Sequence, residues 1–540
     1  MPTPLCRTRG SEEQKMGNYI VKRLLHGLFS VICVVLIVMV LVYSLLDRRT
    51  IFAGDPNYNH TASNNRVTYE QSRWEAFGYL DYVPYADYVN GLARRGEIDE
   101  ETRADAVSLG RTADKDTELT AKYVAEFTDH YESQGYTVVR LDADARRNGQ
   151  LKDGGQPALF ATRDLPLINR AFTYFTNMFF VDNIHYVPED VDIGERGLTF
   201  TLHDPIYGGK FAPAIMGNGT FHKYLLYFDD QFPFIHQNMI TIGLGESYTV
   251  NRGVDVFETM TQSQGSYVLS TVTFPTGVTA ERADDLHTAT YVQGSRESIQ
   301  TNMQWFTDDY TNVITHKTGM SKLGYSFVIG IISTIMAYVL GLPIGLLMSR
   351  YKEGLLDKIG TIYIIFIIAV PSLAYIFLFK AIGTSVFHLP GLFDMDSNSK
   401  LMYILPIVSL ALPSVANLMK WMRRYMIDQM NSDYVKFARS GGMTETEIFT
   451  RHIWKNALIP ITHGIPASVI FAMTGAIITE RVYVVPGAGN LLTQAINKYD
   501  NSVIVGVTLF YAVLSVVAII LGDVLMAIVD PRISFTDKAR

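Results

Sequence analysis

Residues 420–460 read KWMRRYMIDQMNSDYVKFARSGGMTETEIFTRHIWKNALIP and lie between two long apolar runs. The stretch carries Lys420, Arg423, Arg424, Lys436, Arg439, Arg451 and Lys455, so the membrane face on which it lies is a basic one. Asp433 to Arg439 predicts a short helix. Gly441 and Gly442 permit a reversal with positive φ at one of them, and Thr444 with Glu447 has the spacing of a capping box for the next helix. Pro460 stands where the following apolar run begins. Two short helices joined by a glycine elbow across a membrane face have two readings. One is a basic loop held against anionic lipid. The other is a rigid docking element for a cytoplasmic motor.

A hydrocarbon core of about 30 Å takes roughly 20 apolar residues in helix, because lipid offers the backbone no hydrogen-bond partner. Six runs meet that length: Leu24–Leu46, Leu323–Met348, Ile359–Ala381, Leu401–Met419, Ile461–Thr479 and Val503–Val529. Positive residues in short loops stay in the cytoplasm. Lys15, Lys22 and Arg23 precede the first run, and Arg350, Lys352 and Lys358 follow the second. With the 420–460 group, and with Arg532, Lys538 and Arg540 after the last run, all fall on one side of a six-span chain. The expected order is a cytoplasmic segment 1–23, a first span 24–46, an extracellular domain 47–322, a membrane core 323–529 with its inner loop 420–460, and a cytoplasmic end 530–540.

Composition agrees with a chain split between two solvents. Of 540 residues 48% are hydrophobic, and mean hydropathy is +0.12. Residues 51–320 hold 37 Asp+Glu against 21 Lys+Arg, a balance of −16, while the remainder holds 16 against 25, or +9. An acidic block in a basic remainder excludes a uniform soluble enzyme and argues against nucleic-acid binding. Cys6 and Cys33 both precede the acidic block, so it has no disulfide of its own and must hold by packing. Its texture is that of a soluble domain: a helical stretch over Glu97–Gln134, then β-like runs such as YTVVRL and SYVLSTVTF.

Catalytic chemistry is not legible. There is no GxxxxGK[ST] phosphate loop, no His/Cys set at metal-ligand spacing and no Ser/His/Asp set. The spans carry few ionisable residues. Asp523 and His463 stand out, and packing or interfacial roles are favoured over ion or proton sites.

DYVKFARSGG followed by RHIWKNALIP resembles the coupling-loop signature of ABC-importer permeases, above all the oligopeptide/dipeptide branch, whose members read much like DYVRTARAKG and RHALRNALIP. Against the broader pattern, EAA then three residues then Gly, Lys436 takes the Glu place, Phe437 and Ala438 the Ala places, and Gly442 the Gly. MGNYIVKRLL, LGLPIGLLMSR, AVPSLAYIF, LPIVSLALPSVANLMKWMRRYM, ITERVYVVPGAGNLL and VDPRI are also similar to family segments, as is IGLGESYTVNRGVDVFETM outside the membrane. About Asn57–Asn218 and Gly265–Asn312 remain unmatched and look like the large outer inserts of Gram-positive peptide permeases.

The resemblance implies an α-helical polytopic protein of the type I importer permease fold, with six transmembrane helices and a mixed α/β extracellular domain between the first two. It implies the permease subunit of an ATP-driven oligopeptide importer in a bacterial cell membrane, with both termini cytoplasmic. Partners would be a second homologous permease, two cytoplasmic ATPases, an extracellular peptide-binding lipoprotein, the peptide and the membrane. No cofactor is expected in this chain, ATP and Mg being held by the ATPases. Asp433, Lys436, Phe437, Ala438, Arg439, Gly441, Gly442, Met443, Thr444 and Glu447 would meet the ATPase. Pro371, Ser372, Pro413, Pro466, Glu480, Pro486 and Gly487 are the candidates for the pathway or its gate, with helix kinks or a plain loop as the alternative. Other cargo (nickel, opine, sugar) and a mechanotransmission or sensor protein remain as rivals. A sensor would need a signalling domain, for which the residues after the sixth run leave little room.

Overall fold

The computed structural model describes residues 5–529 apart from 46, 54, 61–62, 110–117, 142–145, 148–149, 152–156, 182–196, 205–209, 219–223, 229–234, 238–239, 275, 286–289, 292–304, 306–310, 314, 396–398 and 473–475. The cytoplasmic end expected over 530–540 lies outside the described residues.

Helix α1 runs Leu5–Leu45, with its apolar span at Tyr19–Ser44. In the acidic block follow α2 (Pro56–His60), α3 (Ser63–Ala76), α4 (Tyr85–Arg94), α5 (Glu100–Leu109), α6 (Glu118–Glu132), α7 (Leu167–Thr176) and α8 (Val256–Thr261). Strands β1 (Leu80–Pro84), β2 (Thr137–Leu141) and β3 (Ala158–Asp164) make an antiparallel sheet with β3 central. Against it α4, α5 and α6 bury Tyr85, Val89, Leu92, Ala106, Tyr123 and Phe127. This core stands without a disulfide, as expected. Further on, β4 (Phe179–Val181) pairs with a strand at Ile240–Ile242.

The rest of the block is not separate from the membrane bundle. Ala171 and Met178 share one core with Val31, Val35 and Met39 of α1 and with Val503, Val505 and Val507 near the chain's end. The Asp500 carboxylate accepts the backbone N–H groups of Tyr248, Thr249 and Val250 at 2.8–3.1 Å and the Ser247 hydroxyl at 2.8 Å, tying the 247–250 turn to the start of the last helix.

The bundle continues with α9 (Lys322–Arg350), α10 (Leu355–Ala369), α11 (Ser372–Ser385), α12 (Ile404–Met430), α13 (Asp433–Ser440), α14 (Glu445–Ile448), α15 (Trp454–Thr462), α16 (Ile465–Phe471), α17 (Ile477–Tyr483), α18 (Ala488–Asn497) and α19 (Asn501–Val529). Among the described residues, four helices are long and apolar enough to cross a membrane, at Tyr19–Ser44, Lys322–Arg350, Lys400–Met430 and Asn501–Met526. Two of the six expected spans are therefore not continuous helices. The third breaks into α10 and α11, bent by 115°. Pro371 disfavours helix at the residue before it, and Val370 is extended (φ −87°, ψ 131°). The fifth breaks between α15 and α16, at Gly464 and Pro466, and α17 takes up its far end. The helix of the fourth run continues past Met419 to Met430, so the first part of the 420–460 stretch is helical. Pro413 sits inside α12 without breaking it. Helices α9 and α12 meet closely over the small residues Gly341 and Gly345, where a Cβ at Gly345 would lie 2.8 Å from the Met419 carbonyl oxygen.

Candidate functional site: the glycine elbow and the bundle cavity

The elbow is built by local rules. Helix α13 ends in a Schellman turn: the Gly442 N–H donates to the Arg439 carbonyl and the Met443 N–H to the Ala438 carbonyl. This needs a left-handed residue, and Gly442 supplies it at φ +82°, while Gly441 keeps a negative φ. The expected capping box then starts α14, with the Glu447 N–H donating to the Thr444 hydroxyl and the Thr444 N–H donating back to Glu447 Oε2. Arg439 grips Glu445 across the elbow at 2.6 and 3.1 Å, and Lys436 pairs with Asp433 at 2.9 Å. The Arg439 bond holds Glu445 below the usual carboxylate range, the Thr444 N–H does the same for Glu447, and Lys436 does so for Asp433.

What fixes the elbow to the bundle is apolar. Val435 and Ile448 are fully buried in one cluster with Met422, Met426, Ile453 and Ala457. Each such side chain contributes roughly 1.5–3 kcal/mol on burial, enough to hold two short helices that would not persist alone. The opposite face is open: Phe437 is 80% exposed, with Lys436, Arg439 and Glu445 exposed beside it. Phe437 is thus a large exposed aromatic on a helix whose other face is pinned to the bundle. Nearby, Arg423 makes a two-pronged bond to Asp357 at 2.6 and 2.8 Å, locking the base of α10 to α12.

Between α9, α12 and α15–α17 lies a cavity of about 450 Å³. Its wall mixes apolar groups with Ser333, Thr334, Tyr338, Ser414, Asn417, Trp421, Ser468 and Glu480. The Tyr338 and Ser468 hydroxyls meet across it at 3.3 Å. Glu480 is 2% exposed and lies at one end. Its Oε1 accepts from the Ser326 hydroxyl at 2.7 Å and the Ala476 N–H at 3.1 Å, and its Oε2 from the Asn490 N–H at 3.0 Å. Gly487 packs directly on this carboxyl, and a Cβ there would run into it. Val484, between them, is held at φ +59°, a conformation a β-branched residue adopts only where its surroundings impose it.

The sequence-expected residues thus divide. Glu480 lines the cavity, with Gly487 against it. Pro371, Ser372, Pro413, Pro466 and Pro486 are not among its lining residues. Pro371 and Ser372 mark the α10–α11 break, and Pro466 opens α16. Ser326, Tyr338, Asn417 and Ser468 were missed; their signal was a polar residue inside an apolar run. Asp523 accepts from the Tyr19 hydroxyl at 2.9 Å and lies 3.3 Å from Arg23, so it joins α19 to α1 in the packing role expected.

Apolar helices around a part-polar cavity, with an exposed elbow at one end, define a helical membrane permease. Residues 341–535 match the family model described as binding-protein-dependent transport system inner membrane component. The chain is 33% identical over 529 residues to the oligopeptide transport system permease protein AmiC of Streptococcus pneumoniae, covering 97% of this chain and 99% of that protein. It is 31% identical over 227 residues to the dipeptide transport system permease protein DppB of Lactococcus lactis, covering 42% of this chain and 73% of that one. An inward-facing structure of the MetNI methionine ABC transporter aligns with TM-score 0.32 and 14% identity over 39% of this chain and 94% of that one. The chain belongs to the oligopeptide/dipeptide branch of the ABC-importer permeases. The match to AmiC runs through the acidic block as well as the bundle.

Proposed function

We propose that this chain is one of two permease subunits of an ATP-driven oligopeptide importer, with six membrane crossings, both termini cytoplasmic and residues 47–322 outside. Two of those crossings are broken helices, α10–α11 and α15–α17. The cavity between α9 and α12 is this subunit's share of the path, and its hydroxyl and amide groups suit the peptide backbone, which needs both donors and acceptors. Cytoplasmic ATPases seat on the elbow, closing as they bind ATP and Mg and moving α12 and α15 through the Val435–Ile448 core. An extracellular peptide-binding protein delivers cargo to the acidic block. The chain itself carries out no bond chemistry.

The observation that carries this reading is Phe437, exposed on a helix whose other face is locked to α12. The test is transport. Proteoliposomes holding this chain with its partner permease and ATPases should take up a labelled oligopeptide only with ATP and the binding protein, and Asn417→Leu should lower uptake while ATPase assembly is kept. Uptake of a non-peptide solute in place of peptide would overturn the cargo, and uptake without ATP would overturn the coupling.

A further inference from the structure

Helix α7 packs on α1, and its Arg170 guanidinium stands 5.7 Å from the ring centre of Tyr43. Tyr43 lies four residues before Asp47, where the apolar run Leu24–Leu46 gives way to the charged Asp47, Arg48 and Arg49. The depth of α7 is therefore fixed at the level where α1 leaves the hydrocarbon. The core that it shares with Met39 of α1 and Val503 and Val505 of α19 takes Ala171 and, just beyond the helix, Met178.

Two exposed side chains at that depth are of the wrong kind for water. Ile168 is 77% and Phe172 71% exposed, one turn apart on the same face. Asn169, Thr173 and Thr176 are exposed on a separate, polar face. On α1, which spans the membrane, Ile37, Val40 and Leu41 are exposed within two turns of Tyr43. Arg170 lies inward of that face, its guanidinium beside the Tyr43 and Tyr79 rings at 5.7 and 4.8 Å with Tyr79 only 2% exposed, so this cluster fixes α7 to the protein. A short helix with one packed, one apolar and one polar face at this height has the make-up of a segment lying in the plane of the interface.

We propose that α7 is an interfacial helix that seats Ile168 and Phe172 among the acyl chains of the leaflet at the Ser44 end of α1. The acidic block then grips the phospholipid surface beside the bundle as well as hanging from the ends of its helices. The inference rests on the α1 span, and neither the cargo nor the ATPase coupling enters it.

The test uses the full chain, assembled in its transporter and placed in phosphatidylglycerol/phosphatidylcholine nanodiscs. With Cys6 and Cys33 replaced by Ala, single cysteines at 168, 169, 172 and, as a lipid-facing reference, 37 are labelled with a nitroxide. Accessibility to dissolved oxygen and to a water-soluble nickel chelate is then read by electron paramagnetic resonance. The oxygen-to-nickel ratio at 168 and 172 should exceed that at 169 several-fold and approach that at 37. A ratio at 168 and 172 equal to that at 169 would place the face in water. Inaccessibility to both reagents would place it under a protein partner, and either result overturns the proposal.

Discussion

The Ser326 hydroxyl donates to Glu480 Oε1 at 2.7 Å and accepts the Ala488 N–H at 2.8 Å, so one side chain near the start of α9 fastens both arms of the turn after the broken fifth span. Glu480 and, in the turn, Val485 line the cavity. Ser326→Ala should cost about 1–3 kcal/mol, because it leaves a buried carboxylate short of one donor and a buried N–H without an acceptor. Thermal melting of the purified permease should fall for Ser326→Ala and recover for Ser326→Thr, which keeps the hydroxyl. Equal melting of all three would show the contact to be idle.

At the elbow, Gly442 has open space around it and φ +82°, so only backbone conformation opposes a side chain there. Gly442→Val should introduce about 1–3 kcal/mol of local strain and displace α14 from α13, with every membrane helix unaffected. Gly442→Asn should be tolerated, since Asn adopts this region far more readily. The Val variant is expected to insert normally yet lose ATPase subunits on purification, and the Asn variant to retain them. Equal retention by Val and Asn would mean that the elbow's geometry is not read by the ATPase.

Asp255 gives a pH signature outside the membrane. Its carboxylate accepts the N–H groups of Leu244, Gly245 and Phe257 at 2.7–3.0 Å, but burial dominates and pushes its pKa up to about 6. Between the ordinary Asp value near 4 and about 6, the folded chain holds a proton that the unfolded chain has lost. This contribution to stability is thus full below about pH 4 and lost as pH rises through about 6, a change of about 2–3 kcal/mol. The stability of wild type relative to Asp255→Asn should accordingly fall by about 2 kcal/mol from pH 4.5 to 7.5 in denaturant titrations. A difference constant over that range would contradict the assignment.

Much of the elbow was legible because its rules are local. The Thr444–Glu447 spacing, the paired glycines and the helix from Asp433 each act within a few residues, and each is found where the sequence put it. Kinks at Pro371, Pro413 and Pro466 were expected only as an alternative to a pathway role, and the third and fifth runs read as whole spans, because hydropathy counts apolar residues without regard to direction. Pro371 and Gly464–Pro466 did carry the signal for a break. Glu480 was singled out, but its partner Ser326 lies 154 positions away, and no pattern along the chain joins them. The block at 47–322 reads as self-contained from its charge, yet Ala171 and Met178 belong to the core of the bundle, because apolar residues record burial without naming what covers them.

The proposed topology rests on the sidedness of the basic groups. Trypsin added to wall-free cells should cut after Arg94 or Arg95, exposed at the end of α4, and leave the exposed Arg439 and Arg451 intact. Cleavage at Arg439 from outside would invert the orientation.

The central claim is that the exposed face of α13 is where the ATPase is bound. A photo-reactive benzoylphenylalanine in place of Phe437, whose side chain is 80% exposed, should on illumination of intact membranes join this chain to the ATP-binding subunit. The same reagent at the buried Val435 should not. Cross-linking from 437 to lipid alone, or to no subunit that binds ATP, would contradict the account.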